Sequence, residues 1–209
     1  MAQKKIAVLV SGGGTNLQAL IDAEKRGDLV GGKLTAVISS KAGAYALERA
    51  RLADIPGYVI PRKDYDSNRA MTVAVVELLK TLEIDLVVLA GCMVIFTEEL
   101  VQSYPNAIMN VHPALIPSFC GEGFYGLHVH EAALEYGVKL SGATVHFVTE
   151  ECDGGPIIAQ KSVAVLNGDT PETLQKRIME EAEWVLLPKA VSLFCQDRLE
   201  VVGRTVVVK

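Results

Sequence analysis

The chain has 209 residues, half of them hydrophobic, with 18 Gly and 8 Pro. This composition suits one globular domain with a substantial core and excludes a disordered chain. A net charge of −5 and a pI near 5.4 argue against a nucleic-acid or polybasic membrane surface, and no apolar run approaches the length of a membrane-spanning helix.

Met1 and the next four residues lead straight into the apolar run 6–10, which is too short and too poorly flanked for a signal peptide. A cytoplasmic protein is therefore expected. Ser11-Gly12-Gly13-Gly14 stops that first strand. From Thr15 the apolar spacing becomes helical, with Leu17, Leu20, Ile21 and Ala23 on one face. A second strand is expected over 34–38, a helix over 42–53 and a third strand over 57–60. Ser67 opens a long helix that buries Met71, Val75, Leu78, Leu79 and Leu82. Residues 84–90 are apolar apart from Asp85 and end at Gly91, which fits a parallel strand covered on both faces. Thr97 is expected to cap a short helix through Ser103, and 107–110 is the next strand. Alternation of strand and helix over the first half predicts a doubly wound parallel sheet with right-handed crossovers.

The character changes after Pro113. Pro117, Gly121, Gly123 and Gly126 mark a long loop, and such loops inside compact domains are usually functional. A helix over about 130–136 follows, then strands over 141–149 and 156–165. Thr170-Pro171-Glu172 opens a long helix to about Cys195, with Pro at its first position. The tail 199–208 is β-prone. There is no internal repeat or linker. The expectation is a single domain over 1–209, of α/β class. Its sheet is doubly wound and mostly parallel, with a Rossmann-like N-terminal half and an added antiparallel strand in the C-terminal half.

Cys92, Cys120, Cys152 and Cys195 form no C-x-x-C pair, so they read as reduced thiols. No histidine spacing calls for a metal. Residues 11–16 join the first strand to the first helix, where glycines allow close backbone approach and free N–H groups face an anion. Thr15 and Asn16 add donors, although a plain capped turn would need no more than Thr15. A dinucleotide is disfavoured: the third fingerprint glycine falls at Leu17, and Ile38-Ser39-Ser40-Lys41 offers no acid for a ribose hydroxyl. A Walker lysine is also missing. A terminal phosphomonoester fits better.

Asn110 and His112 lie at a strand end with i, i+2 spacing, which places them on one side of an extended chain. Asp153 closes another apolar run. An uncharged amide, an imidazole and a carboxylate suit oxyanion stabilisation with proton transfer. A carboxylate near His112 is expected to raise its pKa. Taken singly, Asn110 also reads as a turn former, His112 as a structural histidine and Asp153-Gly154 as a hairpin turn. His146 sits mid-strand and reads as structural. His128 and His130 lie beside the long loop, where they line a pocket or face solvent.

Four segments together resemble the folate-dependent formyltransferase family: 11–18, 88–93, Asn110-Val-His-Pro through Pro117, and Gly142 through Asp153-Gly-Gly-Pro156. The resemblance covers essentially the whole chain. The glycine turn followed by Thr-Asn-Leu-Gln favours the purine branch, the phosphoribosylglycinamide formyltransferases. It implies that 10-formyltetrahydrofolate, as co-substrate and without a metal, donates a formyl group to the glycine amine of glycinamide ribonucleotide. Gly14, Thr15, Asn16 and Glu183 would hold the phosphoribosyl part. Arg69, Met93, Val94, Ile95, Phe96, Asn110, Thr149, Glu150, Glu151, Cys152 and Asp153 would hold the folate. Asn110, His112 and Asp153 would be catalytic, with Asp153 raising the His112 pKa and relaying the amine proton. The implied partners are the two substrates, with no nucleic acid and no membrane, in a monomer or homodimer.

Two features depart from the family pattern. Val94 stands where many relatives carry Arg, and the 118–126 loop is longer than in several of them, with the length of a lid. The nearest rival is a formyltetrahydrofolate hydrolase, expected to carry an extra N-terminal domain, whereas Met1 stands just before the first strand. A methionyl-tRNA formyltransferase would add a C-terminal domain beyond Lys209 and would not be acidic. A non-catalytic phosphosugar-binding module would need no convergence of Asn110, His112 and Asp153.

Overall fold

The computed structural model describes residues 3–209. In chain order the elements are β1 (Lys4–Val10), α1 (Thr15–Arg26), β2 (Gly32–Ser39), α2 (Tyr45–Leu52), β3 (Gly57–Val59), α3 (Asn68–Thr81), β4 (Leu86–Leu89), α4 (Glu98–Ser103) and β5 (Ile108–His112). They continue with α5 (Leu127–Tyr136), β6 (Leu140–Phe147), β7 (Ile157–Ala164), α6 (Pro171–Ile178), α7 (Trp184–Cys195), β8 (Leu199–Val202) and β9 (Thr205–Val208).

Among the described residues nine strands form one sheet in the order β3-β2-β1-β4-β5-β6-β7-β9-β8. The pairs from β3 to β5 are parallel. β6 then runs antiparallel to both β5 and β7. The strand order reverses between β1 and β4, and the carboxyl ends flanking such a reversal are where α/β sheets bind ligands. The Rossmann-like half and the antiparallel addition are thus both present. The tail forms the hairpin β8–β9, whose second strand extends the sheet parallel to β7 through Ile157↔Thr205.

The two-residue period of β1 divides the core. Ile6, Val8 and Val10 face one cluster with α1 and α7, while Ala7 and Leu9 face another with α3 and α4. β4 does the same, with Leu86 and Val88 on one side and Val87 on the other. This covering of both faces accounts for the nearly continuous apolar run read at 84–90.

Several boundaries differ from the sequence reading. α2 begins at Tyr45, and α5 begins at Leu127 rather than near 130. Thr97 occupies the N-cap of α4, but no side-chain cap bond forms; its hydroxyl is held by Glu99 instead. Ser67 does cap α3, its Oγ accepting from the Ala70 N–H at 3.0 Å. Thr170 and Thr173 bond reciprocally at the start of α6, with Pro171 in the first turn. The expected long C-terminal helix is interrupted by a π turn over Met179–Glu183. That turn leads into α7, which contains Pro188.

Candidate active site

β1 delivers Ser11-Gly12-Gly13-Gly14 over the sheet edge into α1. Gly14 is the N-cap with φ 72° and no side-chain cap bond. A Cβ there would lie 2.6 Å from Ala46 Cβ, so the close approach of α2 requires this glycine. At Gly12 and Gly13 a Cβ would meet nothing within 4 Å. Those two glycines relieve no packing, and their carbonyls accept from the Ala46 N–H at 3.1 Å and from Arg49 Nε at 2.8 Å. Thr15 is therefore not a cap; its Oγ1 faces Met179 Sδ at 3.7 Å. The first-turn N–H groups of α1 stay available to an anion, which the helix dipole favours by about 0.3–1 kcal/mol.

The π turn brings Glu183 against this turn. Asn16 Nδ2 donates to Glu183 Oε2 at 2.6 Å, and Asn16 Oδ1 is buried without a partner among the described residues. Glu183 is 6% exposed. Burial pushes its carboxyl up to about 7, against the opposing pull of the Asn16 N–H. Gly14, Thr15, Asn16 and Glu183 thus gather at one strand end, from two places far apart in sequence.

Asn110 and His112 project from β5 and pair in register with His146 and Thr144 of β6. Asp153 follows β6 in a left-handed turn, φ 54°. Gly155 closes that turn; a Cβ there would lie 1.8 Å from the Phe147 carbonyl oxygen. Asp153 Oδ2 stands 3.5 Å from His112 Nδ1, and Asn110 Nδ2 donates to Oδ1 at 3.4 Å. The three expected residues therefore meet directly. The long loop meets them through its backbone. His112 Nε2 lies 2.8 Å from the Phe119 carbonyl, which can only accept, so Nε2 carries the proton. The Gly121 N–H donates to Asp153 Oδ2 at 2.9 Å.

Asp153 does raise the His112 pKa, but burial outweighs it, and the imidazole sits below its ordinary 6.5. Burial pushes Asp153 up, yet His146, His112 and the Gly121 N–H together hold it below 3.8. Near neutral pH this is a carboxylate facing a neutral imidazole whose Nδ1 is bare. Two acceptors 3.5 Å apart share no proton, and uptake of one at Nδ1 would bind them together.

His146, read as structural, belongs to this cluster. Its Nδ1 bonds the Phe147 carbonyl at 2.9 Å, and its Nε2 lies 3.2 Å from Asn110 Nδ2 and 3.5 Å from Asp153 Oδ1. Strand pairing was the only signal for it, because Asn110 and His146 are cross-strand partners. His128 is exposed and faces Glu131. His130 is fully buried, and neither ring nitrogen has a partner among the described residues.

The expected folate residues divide. Met93 is tied to the start of the glycine turn by its N–H donating to Ser11 Oγ at 2.8 Å, a contact not foreseen. Val94 and Phe96 line a small cavity with Leu9, Ile38, Met71 and Cys92, while Ile95 is exposed. Thr149 donates to the Glu151 carbonyl at 3.3 Å; with Glu150, Glu151 and Cys152 it forms the approach to Asp153. Arg69 pairs with Glu99 of α4 and is largely exposed; among the described residues no contact ties it to the cluster. All four cysteines are free. Among the described residues there is no group of three or more His, Cys, Asp or Glu that could hold a metal, and no helix is long and apolar enough to cross a membrane.

A glycine turn open to an anion and an amide–imidazole–carboxylate cluster, both at the carboxyl edge of a doubly wound sheet, define a group-transfer class of α/β protein. The chain belongs to the formyl transferase family, whose profile matches residues 4–191. It is 43% identical over 196 residues to the phosphoribosylglycinamide formyltransferase of Haemophilus influenzae, covering 94% of this chain and 89% of that protein. The crystal structure of glycinamide ribonucleotide transformylase 1 from Symbiobacterium toebii aligns with a TM-score of 0.93 at 44% identity, over 99% of this chain and 94% of that one. A formyltetrahydrofolate deformylase from Pseudomonas syringae pv. tomato aligns with a TM-score of 0.86 at 30% identity, over 99% of this chain and 66% of that one.

Proposed function

We propose that this protein transfers the formyl group of 10-formyltetrahydrofolate to the glycine amine of glycinamide ribonucleotide, a step of de novo purine synthesis in the cytoplasm. The observation that carries this reading is the pairing, on one sheet edge, of an uncapped glycine turn with the Asn110–His112–Asp153 cluster. The first suits a terminal phosphate and the second a reacting carbonyl. The similarity to the Haemophilus and Symbiobacterium proteins supports it.

The N–H groups of Gly14, Thr15 and Asn16 bind the phosphate, and Glu183 takes the ribose end. Segments 93–96 and 149–153, with Arg69, hold the folate. The amine attacks the formyl carbon, and the carbonyl electrons move onto oxygen. Asn110 donates to that oxyanion without competing for a proton. His112 joins it when its Nε2–H leaves the Phe119 carbonyl. The ammonium proton passes to the bare Nδ1 facing Asp153, where the carboxylate stabilises the imidazolium. Collapse of the intermediate expels the folate nitrogen, which takes its proton from the His112 imidazolium and restores the neutral ring. The same reading has the protein act as a monomer or homodimer.

Pure protein with both substrates tests this. Formylation that requires the ribonucleotide is expected. Folate release without it would favour the hydrolase, the reading that the deformylase likeness supports. Ribonucleotide binding without turnover would favour a phosphosugar-binding module. Asn110→Ala should lose about 10²–10³ in turnover, as for one oxyanion donor; near-full activity in the folded variant would sink that role. Asp153 raises the His112 pKa against burial, so Asp153→Asn should cut the rate and move the acidic limb to lower pH. An unmoved limb would remove Asp153 from the tuning of His112.

A further inference from the structure

We infer that His146 is a positioning residue for the transfer, one that holds the Asn110 carboxamide with an N–H toward the reacting oxygen. This rests on the role proposed above for Asn110. The Phe147 carbonyl can only accept, so the 2.9 Å contact puts a proton on His146 Nδ1. In that tautomer Nε2 is bare and accepts from Asn110 Nδ2 at 3.2 Å, with Asp153 Oδ1 3.5 Å away. Asp153 Oδ1 accepts on the same side at 3.4 Å. Turning the carboxamide over would set its oxygen against a bare nitrogen and a carboxylate oxygen. Both contacts are repulsive, so the nitrogen side stays inward; His146 keeps the shorter contact, while the N–H on the longer 3.4 Å contact to Asp153 turns to the oxyanion as it forms.

A second observation is independent of these bonds. The register of β6 against β7 shifts between Val145 and His146, and irregularities of this kind re-aim side chains beside active sites. His146 is 1% exposed, so no solvent competes for its ring.

The conservative variants separate the two ring nitrogens. His146→Gln places an oxygen acceptor near the position of Nε2, whereas His146→Asn keeps a donor near Nδ1 and loses the reach to Asn110. His146→Asn should lower kcat by about tenfold, the value of one orienting hydrogen bond, with KM for glycinamide ribonucleotide unchanged. His146→Gln should recover most of that loss. Adding Asn110→Ala to His146→Asn should cost no more than Asn110→Ala alone, because both act through one carboxamide. Equal losses in the Gln and Asn variants at matched unfolding midpoints, or losses that multiply in the double variant, would overturn the inference. Near-normal turnover of Asn110→Ala would instead remove the underlying role of Asn110, a separately readable result. Nitrogen NMR of the wild-type protein provides a test that needs no variant. A protonated Nδ1 and a bare Nε2 on His146 are expected, and a protonated Nε2 at the assay pH would overturn the inference.

Discussion

Two buried ionisable groups outside the catalytic cluster load the protein in opposite directions. Glu183 has its carboxyl raised from 4.5 to about 7 by burial. Between those values the folded state binds more protons than the unfolded one, so its contribution to stability is full below 4.5 and is lost as pH rises through about 7. Glu183→Gln, which cannot ionise, should therefore be stabilised relative to wild type above neutral pH, by on the order of 3 kcal/mol at most. The advantage should vanish in acid. Urea unfolding across that range checks it, and an advantage independent of pH would show that ionisation is not the cause. His130 works the other way. Burial lowers it from 6.5 to about 4, with the neighbouring His112 adding to the effect. Here the unfolded state binds more protons, so stability is full above 6.5 and is lost as pH falls toward 4. His130→Leu should flatten that acid limb, and an unchanged unfolding profile would count against it. Neither shift is readable from residue type, because each depends on what surrounds the group.

At the scale of elements, the turn into α1 divides its three glycines between packing and access. Gly14→Ala forces a left-handed φ on a residue with a Cβ, at a cost of roughly 1–2 kcal/mol, and drives that Cβ into Ala46 of α2. Gly12→Ala and Gly13→Ala meet no neighbour and should stay within about 0.5 kcal/mol of wild type. If the turn holds the phosphate as proposed, they should nevertheless weaken ribonucleotide binding, since a methyl would stand beside the anion. Calorimetric affinity beside the unfolding midpoint separates these outcomes; Gly12 and Gly13 variants with full affinity would show that the phosphate does not reach those two residues. The glycine turn was legible as a unit, but which glycine serves which purpose was not. The C-terminal helix shows the same limit. Its N-terminal signal, Thr170-Pro171, was sound, whereas the π turn that carries Glu183 to Asn16 leaves no mark in apolar spacing.

Across the whole molecule, one sheet separates two cores that share no side chain. Leu79 lies in the core under α3 and Leu187 in the core under α7, both fully buried. Each Leu→Ala change should cost about 2–5 kcal/mol. On opposite faces they should add within about 0.5 kcal/mol. A strongly non-additive double variant would show that the sheet transmits repacking from one face to the other.

The chain alone determined its strand-and-helix alternation, its mixed sheet and its glycine turn, and it singled out Asn110, His112 and Asp153 as candidates. Each of these is written in local spacing, in turn residues or at the end of an apolar run. Tertiary structure decided what those residues meet. Strand pairing set His146 beside Asn110, and the loop set the Phe119 carbonyl and the Gly121 N–H on His112 and Asp153. Burial then outweighed the rise that Asp153 gives the His112 pKa. The physical reason is common to all three. Periodicity reports which face of an element is apolar, while hydrogen bonds and desolvation depend on groups that other parts of the chain bring within a few ångströms.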